Sequence, residues 1–140
     1  MKLSSIMTGG IETIPPQATL AEAAKKMASQ DIGSLPVCSD RRSSVVGIIT
    51  DRDITVRAVA RGMDPNQTRV EEVMTRDVLS CSSDSEVEDA CQLMESHQVR
   101  RLLVTGDGDI PVGIVSLGDI ALCLRESQSV EVLKKVSEPE

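Results

Sequence analysis

Gly47-Ile48-Ile49-Thr50-Asp51-Arg52-Asp53-Ile54 and Gly113-Ile114-Val115-Ser116-Leu117-Gly118-Asp119-Ile120 are two versions of one pattern, and their correspondence decides the fold. Each begins with glycine, continues through an apolar β-branched run, closes that run on a hydroxyl residue and places an aspartate three positions later. On the N-terminal side the match continues at an offset of 67: Leu35 falls on Leu102, Val37 on Val104, Leu20 on Val87, Ala23 on Ala90 and Met27 on Met94. It reaches Ile6-Met7-Thr8, which returns as Val73-Met74-Thr75. The two quoted stretches are offset by 66, so one gap separates them. A repeat this long is two copies of one supersecondary unit. Two copies related by a pseudo-twofold axis would also create two equivalent clefts.

Each copy reads as a short helical entry, strand, helix, strand, strand and helix. Thr19 and Glu22 form a capping box, and Leu20, Ala23, Ala24 and Met27 give the apolar stripe of a helix packed on a sheet. Leu35-Pro36-Val37 is a strand, and Val45–Ile49 reads as a strand buried on both faces. Asp51 to about Ala60 is the next helix, with Ile54, Ala58 and Val59 inward and Gly62 as its stop. Residues 62–68 form a turn-rich linker between copy one (1–61) and copy two (69–125). Thr68 and Glu71 are a second capping box. Val78-Leu79, Glu86–Ser96, Leu102–Val104, Val112–Val115 and Leu117–Leu124 then repeat the order, with a turn at Gly106–Asp109. The tail 126–140 carries Val130, Leu133 and Val136 at the spacing of a short amphipathic helix.

The bulk numbers exclude several functions. A net charge of −7, with Arg41-Arg42 and Arg100-Arg101 as the paired arginines of the body, lacks the concentrated basic face that nucleic acid requires. No apolar run approaches a membrane span and no signal-like core opens the chain, so a cytoplasmic protein without membrane contact is expected. Cys38, Cys81, Cys91 and Cys123 show no Cys-x-x-Cys spacing and read as reduced thiols, with no disulfide expected. His97 is the only histidine, so no histidine-based triad or multi-histidine metal site can form. No nucleophile–base pair is identifiable, and neither an enzyme nor a metal protein is expected. Phe, Tyr and Trp are absent, so a planar ligand must lie between aliphatic side chains.

The Met-Thr entries, the Leu35-Pro36-Val37 strand with its partner Leu102-Leu103-Val104, and the paired segments 47–54 and 113–120 together resemble a tandem pair of CBS domains, the module named for cystathionine β-synthase. The resemblance covers residues 1 to about 125. It implies an α+β fold of two pseudo-symmetric β-α-β-β-α repeats packed as one CBS-pair, or Bateman, module, with two small sheets about a pseudo-twofold axis. It further implies homodimers paired through helices, and adenine nucleotides or S-adenosylmethionine held in the clefts between repeats. Family members usually regulate an attached enzyme or channel. Here the pair accounts for the chain, so a stand-alone module with a separate, unidentified effector protein is expected.

The resemblance places the hydroxyl on ligand phosphate and the aspartate on the ribose hydroxyls, which selects Thr50 and Asp53 in one copy, Ser116 and Asp119 in the other. The chemistry suits those roles: a helix N-terminus favours anions, and a carboxylate accepts both hydrogens of a vicinal diol. The same Ser/Thr-x-x-Asp spacing is also a helix cap, and at this stage both readings stand. Val99–Val104 resembles the corresponding stretch of the γ subunit of AMP-activated protein kinase, which gives Arg101 a phosphate-contacting role supported by Arg100. The alternative for both is surface pairing with Asp107 or Asp109. Gly33-Ser34 stand at the matching places of copy one, where Arg52 could partly substitute. By the same analogy, Thr13, Ile14, Leu35 and Pro36 line the adenine region of one cleft, and Ser80 and Cys81 with Leu102 and Leu103 that of the other.

No cofactor is required on this reading. The leading expectation is a regulatory sensor binding AMP, ADP, ATP or S-adenosylmethionine in one or both clefts with micromolar affinity. The alternative is a ligand-free protein-interaction or stress-response module, including one working through Cys38 or Cys81.

Overall fold

A computed structural model describes residues 1–10, 12–39 and 45–125, so the expectations on Arg41-Arg42 and on a tail helix in 126–140 lie outside the described residues. A 3-10 turn at Leu3–Ser5 opens the chain, followed by β1 (Thr8–Gly9), α1 (Leu20–Gln30), β2 (Ser34–Cys38) and β3 (Val45–Thr50). Next comes α2 (51–61), which is α-helical over Asp51–Asp53, π-helical over Ile54–Ala58 and 3-10 over Val59–Arg61. The second half holds α3 (Val70–Val73), β4 (Ser80–Ser82), α4 (Val87–His97), β5 (Arg101–Thr105), β6 (Pro111–Ser116) and α5 (117–125). This is the α+β architecture of two repeats.

The sheets reveal how the repeats interlock. One sheet has the order β1-β6-β5-β4, antiparallel except for the parallel β4–β5 pair. In the other, antiparallel β2–β3 is extended by single bridges, Ile14 parallel to Val37 and Thr75 antiparallel to Ile48. Those bridges stand where β4 and β1 stand in the first sheet. Thr8 meets Ile114 as Thr75 meets Ile48, and Ile14 meets Val37 as Cys81 meets Val104. Each entry segment therefore pairs with the sheet of the other copy, covering an edge that would otherwise expose unpaired N–H and C=O groups.

The cores follow the same exchange. Val70, Val73 and Met74, from the second entry, pack with Leu20, Ala23, Met27, Leu35, Val37 and Ile49 of copy one. Leu3 of the first entry, fully buried, packs with Val87, Ala90, Met94, Leu102 and Val115 of copy two, with Ile6 and Met7 beside it. The sequence repeat and the packing unit are thus displaced by one entry segment. Neither sequence copy closes a core alone, as expected for units of roughly 60 residues.

Local chemistry explains where the elements start and stop. Thr19 and Glu22 make the reciprocal capping bonds expected of α1 (3.2 and 3.1 Å). Asp31 and Gln98 end α1 and α4 in left-handed conformation at φ 54°, turning the chain into β2 and β5. Gly62, at φ 72°, stops α2. Four expectations shift. Strand β4 covers Ser80–Ser82 rather than Val78-Leu79, because Val78 is drawn into a turn with its N–H on the Arg76 carbonyl (2.9 Å). Arg69 rather than Thr68 caps α3, its N–H reaching Glu72 at 2.6 Å, while buried Thr68 offers its carbonyl to the Leu20 N–H. Val59 faces solvent because neighbouring Ala58 takes the inward position at the end of the π segment. Val46 is exposed, so β3 is buried only from Gly47 onward.

The crossing contact at Gly47 is tight. A Cβ there would lie 2.7 Å from the Thr75 carbonyl oxygen and 2.8 Å from the Met74 sulfur. That carbonyl cannot retreat without breaking its bond to the Ile48 N–H (2.9 Å). Gly47→Ala is expected to destabilise the fold by about 1–3 kcal/mol through overpacking, measured as a lowered denaturation midpoint; unchanged stability would show that the second entry can move away from β3.

Candidate ligand clefts

The exchange of entries decides what faces each hydroxyl–aspartate pair. Ser116, at the end of β6, and Asp119, on the first turn of α5, open onto a cleft of about 430 Å³. Its opposite wall comes from copy one: Gly9 at the end of β1, Gly10 and Glu12 after it, and Ile32, Gly33 and Ser34 where α1 passes into β2. Arg101 stands directly across from Ser116 in the β5–β6 register and lines the same space. Thr50, at the end of β3, opens onto a smaller cleft of about 200 Å³ whose far wall comes from copy two, including Thr75, Leu79, Val99 and Arg100. Arg101 reaches this cleft as well.

Both hydroxyl–aspartate pairs are helix caps in this structure. The Asp53 N–H donates to Thr50 Oγ1 (3.0 Å) and the Thr50 N–H returns a bond to Asp53 Oδ2 (3.1 Å). The Asp119 N–H donates to Ser116 Oγ (3.0 Å) and the Ser116 N–H to Asp119 Oδ2 (2.9 Å). What the carboxylates do with their remaining lone pairs differs. Asp53 is buried, accepts from the Thr75 hydroxyl (3.4 Å) and lies 3.8 Å from the Arg57 Nε. Arg57 in turn holds the carbonyls of Val73 and Met74 (3.2 and 3.3 Å). Asp119 is only half-buried, and among the described residues the Ser116 amide is its only hydrogen-bond donor. Cys123 stands in copy two where Arg57 stands in copy one, so the guanidinium that ties down Asp53 has no counterpart beside Asp119.

The clefts gather five of the residues that sequence singled out: Arg101, Ser116 and Asp119 in the larger, Thr50 and Arg100 with Arg101 in the smaller, and Asp53 sits beneath Thr75. The expected adenine-lining residues lie elsewhere. Ile14, Leu35 and Leu102 are buried in the cores, and Pro36, on the opposite face of β2 from Leu35, is fully buried without lining either cleft. Thr13 lends its carbonyl to Lys26 Nζ (2.7 Å), Ser80 is exposed on β4 and Arg52 is exposed on α2; none lines either cleft. Neither Arg100 nor Arg101 pairs with Asp107, and the alternative of pairing with Asp109 lies outside the described side chains. The residues missed from sequence are those supplied across the exchange: Glu12 and Asp31 in the larger cleft, Thr75 and Asp77 in the smaller. Thr75 was visible as half of the Met-Thr repeat, but nothing in its register said that it faces the other copy.

Among the described residues no helix is long and apolar enough to cross a membrane, and no three His, Cys, Asp or Glu side chains gather as a metal site would require.

Comparison with known proteins agrees with this architecture. The CBS domain model matches twice, over residues 3–59 and 70–126. The CBS domain-containing protein YhcV of Bacillus subtilis is 40% identical over 123 residues, covering 88% of this chain and 85% of that one. Hypoxic response protein 1 of Mycobacterium tuberculosis is 35% identical over 134 residues, covering 96% and 92%. Among solved structures, the CBS domain pair of protein MJ0100, in complex with 5′-methylthioadenosine and S-adenosyl-L-methionine, superimposes with a TM-score of 0.78 at 29% identity, covering 91% of this chain and 98% of that one. The doubled motif, the interlocked sheets and these matches place the chain in the CBS domain family, as a regulatory CBS-pair module.

Proposed function

We propose that this module is a sensor in which an adenosine-containing ligand (AMP, ADP, ATP or S-adenosylmethionine) occupies the Ser116–Asp119 cleft and alters how the protein engages a separate effector. The observation that carries this reading is the state of Asp119: an anchored carboxylate with lone pairs to spare, facing a cleft of about 430 Å³. A ribose diol supplies two donors to such a group, and each charge-assisted bond is worth about 1.5–3 kcal/mol. Arg101, one strand away from Ser116, offers a planar fork to a phosphate or carboxylate. Ile32 and Ile114 supply aliphatic surface for an adenine face. The adenosyl ligands named for MJ0100 support the ligand class. The Thr50 cleft is the weaker site, because binding there must first release Asp53 from Thr75 and Arg57.

A ligand regulates only if it favours one conformation over another. On this reading the working particle is a cytoplasmic homodimer paired through α2 and α5, whose exposed Val56, Val59, Leu122 and Leu124 supply an apolar face. The thiol-based alternative has the opposite support. Burial, and then the charge of Asp89, push the Cys81 thiol above its ordinary range, and Cys38 is buried. Cys81 is therefore not poised as a thiolate near neutral pH, and burial shields Cys38 from reagents in solution.

Four outcomes are expected. Because the chain has no Trp, Tyr or Phe, an adenine ligand dominates its near-ultraviolet absorbance, and gently purified or AMP-titrated protein should show it. Asp119→Ala should weaken AMP binding by at least roughly 10- to 150-fold, the loss from one of the two charge-assisted ribose contacts alone, while keeping the wild-type circular dichroism; unchanged affinity would remove the assignment, and no binding by the wild type would leave the ligand-free interaction module. Light scattering should find two chains per particle, and a monomer would dismiss the helix-paired dimer. Iodoacetamide at neutral pH should leave Cys38 and Cys81 of the folded protein unmodified, with Cys81 reacting only as alkaline pH forms its thiolate; rapid labelling of either would restore the thiol reading.

A further inference from the structure

The two clefts are equivalent by the repeat, yet they share one side chain. Arg101 lines both. Its counterpart in copy one is Ser34, which stands across from Thr50 in the β2–β3 register as Arg101 stands across from Ser116. Serine is too short to span the distance, and Ser34 lines only the larger cleft. One long exposed guanidinium, unpaired by any carboxylate among the described residues, thus stands between two sites that would each hold an anion.

The charges around it make the sharing consequential. Besides Arg101, the larger cleft carries the carboxylates of Glu12, Asp31 and Asp119 and, among the described residues, no other cation. Glu12 is partly offset by Lys26, 3.7 Å away outside the cleft lining. A phosphate there depends on Arg101 for its neutralisation. The smaller cleft keeps Arg100 against Asp77 when Arg101 turns away, which leaves it close to neutral. A guanidinium can present its bidentate fork to one phosphate at a time.

We propose that Arg101 is a shared anion-binding residue that makes the two clefts compete, so that a phosphate-bearing ligand in one weakens phosphate binding in the other. This rests on the reading that both clefts accept adenosine-containing ligands. It predicts negative coupling for AMP and none for adenosine, which lacks the phosphate. Reciprocity requires the same factor in both directions.

Calorimetric titration of the full chain with AMP and with adenosine tests it, using wild type, Asp119→Ala, Arg101→Ala and the double variant. In the wild type the second AMP should bind about tenfold more weakly than AMP binds the Thr50 cleft of Asp119→Ala, a coupling within the usual range. The Arg101→Ala background should erase that difference, and adenosine should show none in either background. Two AMP sites of independent affinity in the wild type, or a difference that survives Arg101→Ala, would overturn the sharing and leave the sensor reading intact. Failure of both AMP and adenosine to bind at millimolar concentration would overturn the sensor reading and this inference together.

Discussion

Two backbone hydrogen bonds of 2.9 Å join Ile48 and Thr75, one in each direction, and the pairing of Thr8 with Ile114 repeats that crossing in the other half. The rest of the structure depends on these crossings. Through them the second entry adds Val70, Val73 and Met74 to the first core, and the first entry adds Leu3 to the second. Each sheet gains an edge partner that its own sequence copy cannot supply. Two units too small to close separately become one body, because the free energy of each core is shared between distant parts of the chain.

The same crossing builds the clefts. A hydroxyl and an aspartate at the end of β6 face the entry and the α1–β2 corner of copy one, and their equivalents at the end of β3 face copy two. Any ligand in either space touches both halves, so its binding energy depends on how the halves are set against each other. That is the physical basis on which such a module can regulate: a site made jointly by two halves responds to their relation, and a ligand there biases it.

Symmetry of fold has not kept the two sites alike. Arg57 and Thr75 engage Asp53, whereas Cys123 at the position equivalent to Arg57 leaves Asp119 open to the cleft. Arg100-Arg101 stand where the first copy has Gly33-Ser34. Gly33 itself sits close to the Asp51 carboxylate, with a built Cβ only 2.9 Å from it, while the Asp51 N–H bonds the Gly33 carbonyl. The backbone bond persists in copy two between Leu117 and Arg100, without the carboxylate. Substitutions at a few cleft positions have therefore changed charge and access while the shared hydrogen-bond frame stayed.

Much of this was legible in the residues. The repeat, the apolar periodicities, the Thr19–Glu22 box and the hydroxyl–aspartate spacing determined two copies of an α+β unit and named Thr50, Asp53, Ser116 and Asp119, since these signals are local and each residue's neighbours in sequence carry them. Arg101 was named through the resemblance of Val99–Val104 to the γ subunit of AMP-activated protein kinase, with a serine at the matching place of the first copy. Tertiary structure alone decided that the entries exchange, that Leu35 and Leu102 belong to cores, that Asp53 is engaged while Asp119 is open, and that Arg101 reaches both clefts. Those are contacts between segments tens of residues apart. A repeat register records which positions are alike; which ones meet is settled by strand pairing and the burial of each face.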